Sequence, residues 1–180
     1  MITISIPEGS FWDPEKEEFI TVKAQKLNLE HSLVSLSKWE SKWEKPFLSK
    51  DNKTDEEILD YIRCMTVSQN VDPNVYAALT TQQKNQISEY IGAKMTATWF
   101  AEDKTKAPNR EIITSEIIYY WMISFNIPFE CQKWHLNRLI TLIRVCEAKN
   151  KPQKSMGKQA LLSRNRALNE ARRKALGTKG

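Results

Sequence analysis

Ile2, Ile4 and Ile6 alternate with polar residues until Pro7 and Gly9 interrupt the chain, a period of two that predicts a strand. Phe19 to Val22 and Lys26 to Glu30 are two further short segments with β-favouring content, so residues up to roughly 30 predict a small antiparallel sheet. From Leu33 the apolar period lengthens to that of a helix, through Leu36, Trp39 and Trp43, and Pro46 stops it. Thr54, followed by Asp55, Glu56 and Glu57, predicts an N-cap with acids in the first turn, where the helix dipole favours them. The helix so started carries Ile58, Tyr61, Ile62 and Met65 and is expected to end near Asn70, ahead of Asp72-Pro73. A short turn around Val75 to Leu79 precedes a helix over Gln82 to Ile91, capped by Thr80 or Thr81 and stopped by Gly92.

Ala101 to Asn109 is polar, contains Pro108 and predicts a loop. Glu111 to Asn126 is apolar nearly all round, so it must be enclosed by the rest of the fold or by a second copy of the chain. Asn126-Ile127-Pro128 breaks it, with Pro128 expected in the first turn of a following helix whose one face is Phe129, Gln132, Leu136, Leu139, Ile140, Ile143 and Cys146. The short break predicts an αα-hairpin as the apolar heart, from Ile112 to Val145. After Lys151-Pro152, Lys158 to Ala175 predicts a last helix ended by Gly177, with only a thin apolar stripe of Leu161, Leu168, Ala171 and Ala175. The expected class is α+β, predominantly helical: residues 1–150 form one domain, with the sheet in 1–30 and helices in 33–148, and residues 151–180 form a basic helical tail.

Charge sharpens that division. From Lys149 onward there are ten Lys/Arg and one acid, a net +9, while the preceding 148 residues hold 17 basic and 21 acidic residues, a net −4. A mildly acidic body therefore carries a strongly basic appendage, whose partners are phosphate, an acidic protein face or water. A length of 180 residues suffices for a self-supporting core. The longest apolar run, Ile117 to Ile123, has seven residues and cannot span a bilayer. The opening Met-Ile-Thr-Ile-Ser-Ile-Pro lacks the basic and apolar regions of a secretory signal. Cys64, Cys131 and Cys146 are odd in number and widely spaced, which fits reduced, buried thiols in a cytoplasmic protein.

Candidate chemistry is sparse. Cys131 and His135 have the i,i+4 spacing of a metal-ligand pair, but zinc needs three or four ligands and no second Cys/His pair exists. With His31 and His135 as the only histidines, bases for nucleophilic catalysis are few. The five glycines form no phosphate-binding loop. These absences predict a protein that is not an enzyme and has no metal or cofactor. The tandem Ser37-Lys38-Trp39-Glu40-Ser41-Lys42-Trp43-Glu44-Lys45-Pro46-Phe47 places two indoles on one helical face, against the chain's own core or against a partner. Trp39, Trp43 and Phe47, with Arg164, Arg166, Arg172, Arg173 and Lys174 of the tail, are the candidate partner-binding residues. The tail lacks aromatics for base stacking, which weighs against nucleic acid as its partner.

Several segments together resemble a family from tailed bacteriophages. They are His31-Ser-Leu-Val-Ser-Leu-Ser-Lys-Trp-Glu-Ser-Lys-Trp-Glu-Lys-Pro-Phe47, Asp60-Tyr-Ile-Arg-Cys-Met65, Met95-Thr-Ala-Thr98, Ser115-Glu-Ile-Ile-Tyr-Tyr-Trp-Met122, Pro128-Phe-Glu-Cys-Gln-Lys-Trp-His-Leu-Asn-Arg-Leu139 and Arg164-Asn-Arg-Ala-Leu-Asn-Glu-Ala-Arg-Arg173. The family is that of siphophage-like tail assembly chaperones. The resemblance implies a non-enzymatic protein of the host cytoplasm that coats the tape-measure protein until tail-tube protein polymerises round it and is absent from the mature virion. The helix apolar all round separately predicts a homo-oligomer. The alternatives are a structural virion component, such as a connector or minor tail protein, and a DNA-binding accessory protein acting through the tail.

Overall fold

Strand β1 (Ile2–Ile6) pairs antiparallel with β4 (Gln25–Leu29), and between them β2 (Gly9–Asp13) pairs with β3 (Glu18–Val22). These features are seen in a computed structural model that describes residues 1–13, 17–100, 112–150 and 157–177. The expected loop at Ala101 to Asn109 lies outside the described residues. The pairs Ile6↔Gln25 and Gly9↔Val22 leave two residues unpaired on each strand, so the two ladders are one hairpin ribbon interrupted at Pro7-Glu8 and Lys23-Ala24. Proline has no amide hydrogen to give a ladder, which fixes the interruption there. Both strands change facing parity at this step. Ile4, Ile6, Leu27 and Leu29 are buried before it, and Val22 is buried beyond it. The outer face is polar near the base, where Thr3 Oγ1 donates to Asn28 Oδ1 at 2.9 Å. Strand β2, where the sequence suggested only Pro7 and Gly9 as terminators, was not expected.

The fold is α+β and predominantly helical, with strands followed by a run of helices. Helix α1 (Leu33–Trp43) starts at Ser32, whose hydroxyl accepts from the Ser35 amide while the Ser35 side chain reaches back to the Ser32 N–H. Helix α2 (Asp55–Met65) has the same reciprocal box between Thr54 and Glu57. It ends at Met65 rather than near Asn70 because the chain turns to extend the sheet: Glu30 N donates to Met65 O and Val67 N to Asn28 O, each at 2.8 Å. A 3-10 turn (Pro73–Tyr76) and helix α3 (Thr81–Gly92), capped by Thr80, follow.

Helix α4 (Ser115–Ser124) is shorter than the apolar run that encodes it. Asn126 in the left-handed region (φ 52°) and Pro128 then turn the chain. The expected second arm of the hairpin is split. Phe129–Lys133 is a 3-10 turn, Trp134 is extended, His135 bridges to Ser32, and helix α5 begins only at Leu136, running to Asn150. The backbone bond from Leu136 N to His31 O, 2.8 Å, is what competes with a continuous helix.

Two apolar clusters result. One joins the ribbon to α2, α3 and Trp39; the other joins Leu33 and Leu36 to Ile118, Met122, Leu136, Leu139 and Ile143. Helix α1 contributes to both, and Phe47 packs against both. The chain divides into two compact units, Met1–Glu147 and Ala148–Gly180. The second unit contains helix α6 (Lys158–Leu176), ended by Gly177 in the left-handed region at φ 63°.

Candidate functional site

The tandem Ser-Lys-Trp-Glu of α1 is an internal lock. Trp39 is 1 % exposed, and its indole N–H donates to the Glu57 carbonyl at 2.9 Å. Trp43 is half-buried and donates to Asp60 Oδ2 at 2.9 Å. Lys42 Nζ meets Asp60 Oδ1 at 2.5 Å, and Lys45 Nζ meets Glu57 Oε1 at 2.6 Å. Phe47, also half-buried, stacks on Tyr61 with ring centroids 3.8 Å apart and meets Trp39 edge-on at 5.0 Å. The sequence left the indoles open between core and partner. The geometry assigns Trp39 to the core, and Trp43 and Phe47 to the seam between α1 and α2, so the docking role expected of Trp39 is withdrawn. Asp60 titrates below its ordinary range: burial raises it, but the hydrogen bonds from Lys42 and Trp43 and the charges of Lys42 and Arg63 outweigh that. Glu57 is lowered chiefly by its bond from Lys45, then by the Thr54 amide.

Glu40, the other acid of the tandem, is buried and spans three elements. Its Oε1 accepts from the Phe47 amide at 2.9 Å and its Oε2 from the Ser115 amide at 2.7 Å. Helix α4 has no side-chain cap of its own at Thr114, so Glu40 caps it from α1, where a carboxylate also meets the positive end of the helix dipole.

Two buried imidazoles lie where the clusters meet. His31 and His135 stand edge-to-face at 5.0 Å. The Asn137 amide donates to His135 Nδ1 at 3.3 Å, so Nε2 carries the proton and donates to the Tyr90 carbonyl at 3.0 Å. His31 Nδ1 lies 2.6 Å from the Tyr61 hydroxyl. Burial, and secondarily the neighbouring His135, brings His31 down to about 3. Burial also lowers His135. With His31 Nδ1 and both nitrogens of His135 in hydrogen bonds, and burial disfavouring the charged rings, the pair serves packing here. Cys131 and His135, expected on one helix, are separated by extended Trp134. Among the described residues no group of three His, Cys, Asp or Glu could hold a metal ion. Cys64, Cys131 and Cys146 are free thiols, and burial pushes Cys64 upward in pKa, away from nucleophilic use.

What remains for a partner lies on the surface. On α4, Ile118 and Met122 are buried, but Tyr120 is 66 % and Ile123 61 % exposed, with Ile112 and Phe129 exposed beside them in the chain. The run expected to be enclosed thus keeps one uncovered face. In the second unit, Arg164, Arg166, Arg172, Arg173 and Lys174 are all exposed, as are Leu161, Leu162, Leu168 and Leu176. Trp99, which nothing in the sequence singled out, is 77 % exposed. Its one available signal was a large ring in an aperiodic stretch. No helix among the described residues is long and apolar enough to cross a membrane. No protein-family model, curated protein or solved structure matches the chain.

Proposed function

We propose that this chain acts without chemistry, as a tail assembly chaperone of a tailed bacteriophage that holds the tape-measure protein soluble until tail-tube protein encloses it. The observation that carries the reading is the uncovered face of α4, where Tyr120 and Ile123 stay in water on a helix whose opposite side is sealed by Ile118 and Met122. Exposed apolar residues grouped on a rigid element are what binding an apolar helix requires. The buried acids Glu40 and Asp60 of the first unit are, by contrast, spent on internal ties to Ser115 and Lys42. Helix α6 supplies a basic surface through Arg164, Arg166, Arg172, Arg173 and Lys174, suited to acidic stretches of the same partner. The binding residues under this reading are therefore Tyr120, Ile123 and the α6 cations, without Trp39. Self-association through the same α4 face would shield it when no partner is present.

Co-expression with the tape-measure product tests this directly. The wild-type chain should keep that product in the soluble fraction, and Tyr120→Lys with Ile123→Lys should lose the effect while folding normally. A tape-measure protein that stays insoluble beside the wild-type chain ends the proposal. Mass spectrometry of purified particles should find the chain missing, and its presence there would favour a structural virion component.

A further inference from the structure

Near the start of α5, Asn137 donates its side-chain amide to the carbonyls of Ile91 at 3.0 Å and Ala93 at 2.9 Å. The chain leaving α3 is thereby fastened along α5. An open cavity of about 280 Å³ lies between them, with Lys94, Trp99 and Phe100 on one side and Thr141 and Arg144 on the other. The Arg144 guanidinium sits 5.4 Å from the Phe100 ring centre. Among the described residues two cations and no carboxylate line the cavity, and Ile140 is the one aliphatic residue. The basic edge continues along α5: Arg138, Thr141 and Arg144 follow at i,i+3 spacing, and Arg138 stacks over Trp134 at 4.2 Å. Glu147, one turn beyond Arg144, is the next acid on that edge.

We propose that this cavity binds single-stranded nucleic acid, with one base stacked on the exposed Trp99 indole and the adjoining phosphates held between Lys94 and Arg144. A free π-face flanked by cations is the combination that single-strand binders use, because every base offers a ring and every linkage a charge. Threonine hydroxyls at 96 and 98 add donors suited to phosphate oxygens, whereas that of Thr141 donates to the Asn137 carbonyl. The lining argues against a peptide helix, which needs a row of aliphatic pockets where the described residues of this cavity offer Ile140 alone. The site is separate from the α4 face and does not depend on the chaperone reading.

The test is fluorescence anisotropy of a labelled oligothymidylate of about 12 nucleotides with the full chain at about 50 mM salt. Trp99→Ala should weaken binding about tenfold. Arg144→Gln should also weaken it and reduce the slope of log affinity against log salt by about 0.7, the value for one phosphate contact on a single strand. Both positions are exposed, so unchanged thermal unfolding by circular dichroism confirms folding. Arg172→Gln with Arg173→Gln on α6 should leave the Trp99 dependence intact. Absence of binding at low salt, or affinity indifferent to Trp99→Ala and lost only in the α6 variant, overturns the proposal. So does oligoglutamate that competes as well as the oligonucleotide, because the site would then be one for acidic peptides.

Discussion

Glu40 and Trp99 show how differently single residues of this chain weigh on the fold. Replacing Glu40 by Ala leaves the Phe47 and Ser115 amides without their acceptor. Bonds to a charged group contribute about 1.5–3 kcal/mol each, and removing one partner of a buried pair costs most. Glu40→Ala should therefore lower unfolding free energy by roughly 3 kcal/mol in urea titrations, whereas Trp99→Ala should stay within about 0.5 kcal/mol. A Glu40 variant as stable as wild type would show that the carboxylate is not the cap of α4. The histidines set the acid limit. Well above pH 6.5 neither the folded nor the unfolded chain protonates them. Below it the unfolded chain takes up protons while His31 stays neutral down to about 3, so stability falls as pH falls through that window. The slope is up to about 1.4 kcal/mol per pH unit for each histidine. Urea midpoints measured between pH 7.5 and 5 isolate this effect, because Asp60 and Glu57, both lowered, lose their contribution only at more acid pH. A midpoint flat over that range would mean the imidazoles are not held neutral. Neither role was legible in the sequence. A buried acid or imidazole is recognisable only from its partners, here 75 and 30 residues away.

At the scale of elements, the local signals were the reliable ones. Thr54 and, of the two threonines offered, Thr80 cap the helices they precede, and Gly177 ends the one it follows, because caps act over three or four residues that sit together in the sequence. Thr54→Ala should cost about 1 kcal/mol by the usual worth of a cap, measured as a shift in thermal midpoint. A thermal midpoint unchanged by Thr54→Ala would refute the capping role. Where prediction missed, long-range backbone pairing had overridden local pattern. Met65 ends α2 because Glu30 and Val67 complete a sheet, and α5 starts late because Leu136 bonds His31. The ribbon shows the same limit. Trp12 and Phe19 form a cross-strand pair at 5.2 Å on the outer face of β2 and β3. Such a pair supports its own hairpin and nothing else. Trp12→Thr with Phe19→Thr should accelerate amide exchange in β2 and β3 while exchange in α2 and α4 stays as in wild type. Uniform acceleration would mean that the ribbon tip supports the whole domain.

For the molecule as a whole, the decisive quantity is the apolar surface that folding leaves in water. The sequence showed that Glu111 to Asn126 needs enclosing, but it could not apportion that enclosure between the fold and a second molecule. The two clusters seal Ile118 and Met122 and stop there, leaving Tyr120 and Ile123 outside. The proposal that copies of the chain pair through this face makes a two-fold contact the expected arrangement, since that is the commonest closed one. Sedimentation should accordingly show association that strengthens with protein concentration. Tyr120→Lys with Ile123→Lys should shift it to the monomer, because two like charges per copy would then face one another across the axis. Thermal stability of the dilute variant should match the wild type, since both side chains are already in water in the single chain. If the variant associates as strongly as the wild type, the α4 face is not the surface that joins copies. If it unfolds, that face carries stability within one chain, and the proposed chaperone role would have to rest on α6.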